Sequence, residues 1–130
     1  MDEDIPLQQL IDGYWKHYRL STGGRQERLD AEKWAWAWDE VAEAVLEPSA
    51  NTFDMLMALV GSAADDEALA YLGAGPLENL INSHGHQFAE QVEESARRDP
   101  LFRKALANVQ LSSNVPAAVR ERLARFMPTA

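Results

Sequence analysis

The sequence predicts an all-α protein, on two main observations. Apolar residues recur at three- and four-residue steps along most of the chain, which places them on one side of a helix in each segment. Apolar and polar residues alternate over too few positions to predict a strand, and β-branched residues are sparse. We therefore expect an irregular bundle of about seven or eight short antiparallel helices. A two-helix repeat array is disfavoured because no period is visible.

The first two predicted helices are rich in aromatic residues. One extends from about Ile5 to just before Ser21 and has Tyr14, Trp15 and Tyr18 in its apolar stripe. The second extends from about Gln26 to Leu46, has carboxylates on its outer side, and ends before Pro48. Its apolar face is expected to comprise Leu29, Trp34, Trp38, Val41 and Val45.

Capping residues and helix breakers mark the remaining helices. Thr52 and Asp65 precede apolar stripes and can accept hydrogen bonds from the free amides at a helix start. Gly73-Ala74-Gly75-Pro76 predicts one helix end followed by a new start, because glycine tolerates a left-handed residue and proline fits a first turn. Further boundaries are expected at Gly61, Gly85, Asp99-Pro100 and Pro116.

Length and composition favour one soluble domain. The chain has 130 residues, of which 46% are hydrophobic and 25% charged, so a single helical domain over residues 1–130 can bury its own core. The absence of cysteine excludes disulfides and thiolate metal sites and fits a reducing compartment. An acidic N-terminus and the lack of a long apolar run argue against export and a membrane span. We expect a cytoplasmic protein without a cofactor.

Charge is distributed unevenly along the chain. Residues 1–96 hold 19 acidic and 5 basic side chains, whereas residues 97–130 hold 2 acidic and 7 basic ones. Phosphate would be repelled by most of this surface, so we expect a basic protein partner and no direct nucleic-acid or membrane binding. Acidity that serves only solubility is the alternative. The arginines of the last helix are expected to pair with the acidic part of the same chain or of a second copy.

The segment Leu72-Gly73-Ala74-Gly75-Pro76-Leu77-Glu78, together with the later Asp99-Pro100-Leu101-Phe102, resembles a bacterial family known as a domain of unknown function. The resemblance covers roughly residues 34–110. It implies a compact helical domain and transfers no catalytic residue. In size and acidity the chain also resembles small bacterial toxin-immunity proteins, which implies the neutralisation of a toxin.

The second helix is the predicted partner-binding element. Trp34, Trp36 and Trp38 alternate, so they cannot all face one way. With Trp34 and Trp38 in the core, Trp36 would lie outward as an anchor for a partner, unless a neighbouring helix covers it. The carboxylates beside it could meet a basic enzyme groove, or could form a solvated helix face. The predicted binding residues are Trp36, Glu32, Asp39, Glu40, Glu43 and Glu47.

No motif in the sequence predicts catalysis. His84 and His86 flank Gly85 without a third spaced ligand, so a helix-end turn is favoured over a metal site. The Gly73–Pro76 turn lacks the lysine and hydroxyl residues of a phosphate-binding loop. Three hypotheses follow. The first is an inhibitor, such as an immunity protein, that blocks a basic toxin or nuclease and is not itself an enzyme. The others are a homo-oligomeric structural or regulatory module and an uncharacterised enzyme that uses His84 or His86.

Overall fold

The computed structural model describes residues 5–127 and contains helices and no strand within that range. The predicted all-α class is confirmed. The α-helices are α1 (Leu7–Ser21), α2 (Arg25–Asp30), α3 (Ala35–Leu46), α4 (Thr52–Ser62), α5 (Asp66–Leu72), α6 (Glu78–Arg98), α7 (Pro100–Leu106) and α8 (Ala117–Leu123). A 3₁₀ turn (Ala31–Trp34) joins α2 to α3, a π turn (Gly73–Leu77) joins α5 to α6, and a 3₁₀ turn (Ala124–Phe126) follows α8.

These joining turns leave six continuous helical segments in the described part of the chain, rather than seven or eight. They are residues 7–21, 25–46, 52–62, 66–98, 100–106 and 117–126. Two expected interruptions are kinks within one segment, since the backbone leaves helical geometry at Gly75 (φ −113°, ψ −105°) and at His84 (φ −137°, ψ 26°). Pro76 accounts for the first kink because it cannot donate to the helix ladder.

The helices form two compact units that divide between Glu47 and Pro48. The first unit contains α1 to α3 and the second contains α4 to α8. The expectation of one domain over residues 1–130 stays a prediction. Among the described helices, none has the length and apolar character needed to cross a membrane.

In the first unit α1 packs against α3 and the preceding 3₁₀ turn. The buried side chains of α1 and α3 include Ile11, Tyr14, Trp15, Val41 and Val45. Gly13 allows the two helices to approach, because a Cβ atom there would lie 3.0 Å from both Trp36 Cζ2 and Ala37 Cβ. The ring of Trp36 therefore occupies space that a larger residue on α1 would fill.

The expected apolar face of the second helix is partly wrong. Val41 and Val45 are buried, but Leu29 is 55% exposed and Trp38 is 42% exposed, while Trp34 is half-buried. The 3₁₀ turn between α2 and α3 has fewer residues per turn than an α-helix. It therefore shifts the register, and one 3.6-residue stripe cannot describe residues on both sides of it.

In the second unit, aromatic rings from three helices form part of the core. Phe53 of α4 stacks on Phe88 of α6 with ring centroids 6.3 Å apart, and contacts Phe102 of α7 at 5.9 Å. All three side chains are buried. The contacts join segments distant in sequence, so burial of these rings fixes α4, α6 and α7 together.

Two of the predicted helix caps are confirmed. Asp65 Oδ1 accepts from Ala68 N at 2.9 Å at the start of α5, and Asp99 Oδ1 accepts from Leu101 N at 3.0 Å at the start of α7. The cap predicted at Thr52 is wrong. Thr52 is the first residue of α4, and its hydroxyl accepts from Ser49 N at 2.9 Å, so it closes the preceding turn.

Gly73 is required for close packing and not for an unusual backbone conformation. Its φ and ψ are −63° and −46°, and no described glycine has a positive φ, so the predicted left-handed residue is absent from residues 5–127. A Cβ atom at Gly73 would overlap the carbonyl oxygen of Ala105 and lie 3.0 Å from Asn108 Cβ. The π turn therefore meets α7 directly through backbone atoms.

Replacing Gly73 by alanine is expected to lower the free energy of unfolding by about 1–3 kcal/mol, because α7 must move to admit the methyl group. Urea unfolding followed by circular dichroism measures the change. Gly61→Ala is the control: a Cβ atom there has no neighbour within 4 Å, and alanine in a helix is expected to raise stability by about 0.5 kcal/mol. Equal stability of the two variants would contradict the close contact.

Candidate functional site

The outer side of α3 and the residue that follows the helix carry four carboxylates that we name the acidic row: Asp39, Glu40, Glu43 and Glu47. All four are exposed, on the side of the helix away from the buried Val41 and Val45. Four-residue spacing brings Asp39 next to Glu43 and Glu43 next to Glu47. The acidic row is therefore one continuous negative surface, as the sequence predicted for these residues.

The acidic row destabilises the helix that carries it. Like charges at four-residue spacing repel, and Glu43 and Glu47 lie at the C-terminal end of α3, where the helix dipole disfavours negative charge. No lysine or arginine occurs between residues 34 and 47. Within residues 5–127, no ion pair or side-chain hydrogen bond involves these four carboxylates. Their negative charge is left without a compensating group in the described structure.

Of the two other predicted binding residues, Glu32 lies where expected and Trp36 does not. Glu32 is exposed on the 3₁₀ turn that precedes the acidic row. Trp36 is half-buried because its ring packs at Gly13 of α1. The interpretation of Trp36 as the outward indole is therefore corrected, and the alternative that a neighbouring helix covers it is the better description. Trp38 is the exposed tryptophan of α3.

The basic side chains of the second unit are placed differently from the acidic row. Arg122 Nε lies 2.7 Å from Glu93 Oε1, and Arg125 lies 3.3 Å from Glu93 Oε2, so both arginines attach the end of the chain to α6. Arg103 donates to the carbonyl of Ala96 at 2.7 Å at the end of α6. Acceptors within this unit are present for Arg97, Arg98, Arg103, Lys104, Arg120, Arg122 and Arg125.

Arg120 belongs to a polar framework that fixes the segment 107–116. Its guanidinium donates to the carbonyl oxygens of Ser112 and Val115. From α6, Glu78 accepts from Gln110 N at 2.9 Å and Asn82 accepts from Ser112 N at 2.9 Å. The expected pairing of the C-terminal arginines within the chain is thus found for Arg122 and Arg125, whereas Arg120 binds backbone carbonyls.

The histidines and the glycine turn lie at the two kinks of the segment 66–98. His84 is half-buried at the kink of α6, and His86, the residue after Gly85, is exposed. In the described ranges, no three histidine or carboxylate residues are grouped so that they could hold a metal ion. Gly73, Pro76 and Leu77 are buried in the corner between α5 and α6, and Glu78 binds the 107–116 segment.

The model of a family of unknown function (DUF6869) matches residues 24–129. The chain belongs to this family. The DUF6869 match extends beyond the 34–110 range of the sequence resemblance and includes the acidic row, the Leu72–Glu78 segment and the C-terminal arginines, while α1 lies outside it. Among curated proteins and solved structures, none matches the chain.

The ion pair between Glu93 and Arg122 can be tested by its dependence on pH. The hydrogen bond from Arg122 lowers the pKa of Glu93, and desolvation opposes this shift only in part. A carboxylate with a lowered folded pKa stabilises the protein above its unfolded pKa, about 4.3, and this stabilisation is lost as the pH falls through the folded value. Glu93→Gln is therefore expected to lower the unfolding free energy at neutral pH, and its deficit should shrink on acidification.

Urea unfolding of wild-type and variant proteins across this pH range measures the deficit. Glu90→Gln, an exposed position on the same helix, is the matched control and should give a much smaller deficit at neutral pH. A Glu93→Gln deficit that stays constant into acid would contradict the proposed role of the charged carboxylate.

Proposed function

We propose that the protein is a binding inhibitor that neutralises a basic toxin or nuclease, as an immunity protein does, and that the acidic row of α3 contacts the partner. One observation carries this proposal: the four carboxylates of the acidic row are exposed and uncompensated on a helix that they destabilise. A basic partner supplies the missing positive charge. Binding then removes the repulsion within the row as well as adding contacts across the interface.

The acidic row differs from most carboxylates of the second unit. Six carboxylates of the second unit cap helices, bind backbone amides or pair with basic residues: Asp65, Asp66, Glu78, Glu93, Glu94 and Asp99. Those residues stabilise the fold. The acidic row makes no such contact in residues 5–127, so stability of the free protein does not account for it.

An inhibitor of a nucleic-acid-binding enzyme is the functional class that suits such a surface. Enzymes that bind nucleic acid present basic grooves to phosphate, and a row of carboxylates on a rigid helix offers the same sign of charge as the substrate. Complementary charge also accelerates association, which favours rapid capture of a toxin.

The homo-oligomeric alternative receives less support from the charges. It requires the basic C-terminal region of one copy to meet the acidic region of another. The seven basic side chains between residues 97 and 125 already have acceptors within their own unit: five pair with carboxylates, and Arg103 and Arg120 bind backbone carbonyls. The enzyme alternative depends on His84 and His86, which lie at a kinked corner of α6.

Neutralising the acidic row is expected to stabilise the free protein. In the variant Asp39→Asn/Glu40→Gln/Glu43→Gln/Glu47→Gln, three like-charge pairs at three- or four-residue spacing are removed, which should raise the unfolding free energy by about 1 kcal/mol. The control with the same change in net charge is Asp54→Asn/Glu67→Gln/Glu90→Gln/Glu121→Gln, four exposed residues. Asp54 and Glu67 lie in first helical turns, where a carboxylate is favourable, so this variant should not gain stability. Urea unfolding distinguishes them. A row variant less stable than wild type would show that the carboxylates serve the fold.

The function itself is tested by co-expression with the proteins encoded next to this gene. We expect a neighbouring basic product to arrest growth, wild-type protein to restore growth, and the acidic-row variant to fail while the control succeeds. Calorimetry with purified proteins should show that wild type and the control bind the toxic product and that the acidic-row variant binds it more weakly. The proposal fails if no neighbouring product is toxic, or if the row variant protects as well as wild type.

A further inference from the structure

Trp38 adds an exposed indole beside the acidic row. It is 42% exposed, and Leu46, near the end of the same helix, is 67% exposed. Trp38 directly precedes Asp39, so the indole and the carboxylates lie on neighbouring sectors of α3. Tryptophan is strongly enriched among residues that dominate the energy of protein interfaces. A partner seated on the acidic row would therefore also reach Trp38.

The 3₁₀ turn that precedes α3 contains a tryptophan whose ring contacts a cation. Lys16 of α1 places its ammonium 4.9 Å from the ring centroid of Trp34, which is a cation–π contact. Trp38 comes four residues later and faces the next residue of α1, His17, with ring centroids 6.5 Å apart and planes tilted by 42°. In residues 5–127 no lysine or arginine lies over the Trp38 ring.

We infer that Trp38 and the acidic row together bind an arginine-bearing surface of a basic protein, with one guanidinium stacked on the Trp38 indole. The inference rests on the proposed function and names the chemistry that the surface selects. Arginine suits the site better than lysine because its guanidinium is planar, stacks on aromatic rings and is weakly hydrated. The neighbouring carboxylates then bind further cations of the same partner through charge.

Charge complementarity favours this occupant over the basic C-terminal region of a second copy. That region would have to offer arginines that are not already bound. Arg122 and Arg125 contact Glu93, Arg103 binds the end of α6, and Arg120 binds the 107–116 segment. The arginines of a different basic protein are not occupied by these contacts.

The inference is tested with oligo-arginine and oligo-lysine peptides of equal length as probes. Binding is measured by calorimetry at low ionic strength for wild type, Trp38→Leu, Trp38→Phe and the acidic-row variant. Wild type should bind oligo-arginine about two- to fivefold more tightly than oligo-lysine, the range expected for an exposed cation–π contact. Trp38→Leu should remove this preference and keep the binding of oligo-lysine, and Trp38→Phe should retain part of the preference.

The acidic-row variant should weaken both peptides by a similar factor and keep their ratio. Two results would overturn the inference while leaving the acidic row as the binding surface: equal affinities for the two peptides, or a preference for arginine that survives Trp38→Leu with unchanged circular dichroism. If neither peptide binds wild type, the proposed function and this inference both fail. Sizing chromatography of wild type and Trp38→Leu tests the remaining occupant. A wild-type dimer that becomes a monomer in Trp38→Leu would show that the indole binds a second copy, and would overturn the inference.

Discussion

The bonding of basic side chains within the second unit is the interaction on which the surface of the protein depends. Arg122 and Arg125 attach the C-terminal helix to Glu93, Arg103 binds the end of α6, and Arg120 holds the 107–116 segment. These contacts add to the burial of Val109, Val115, Val119 and Leu123 from the same segments. Five of the twelve basic side chains lie in ion pairs of the second unit, namely Arg97, Arg98, Lys104, Arg122 and Arg125, and the chain as a whole carries a net charge of −9.

The acidic row of α3 concentrates part of that negative charge on one side of a helix. Its carboxylates repel one another, lie near a helix end that disfavours them, and have no partner in the described residues. A protein tolerates local destabilisation when the same residues contribute to binding. This physical reason connects the helix to a basic partner, and Trp38 gives the surface an aromatic group that can distinguish arginine from a simple positive charge.

The sequence predicted correctly those features of the fold that depend only on neighbouring residues, such as helix starts. Asp65 and the Asp99-Pro100 pair start helices because a carboxylate beside free amides stabilises a helix start in any context. The role of Gly73 could not be predicted, since it depends on the approach of Ala105 from a distant helix. The tryptophans were partly misassigned for the same reason: a 3₁₀ turn changed the register, and the missing side chain at Gly13 made room for Trp36. The exposed carboxylates were predicted correctly because a charged face opposite Val41 and Val45 has no alternative to solvent.

The most direct test of the central claim is an NMR titration of the labelled protein with an oligo-arginine peptide, performed at low and at high ionic strength. We expect amide shift changes concentrated in residues 32–47, together with a shift of the Trp38 indole N–H, and we expect salt to reduce these changes because exposed charges are screened. Shift changes that centre on Glu93 and α8, or that spread evenly over both units, would contradict the account.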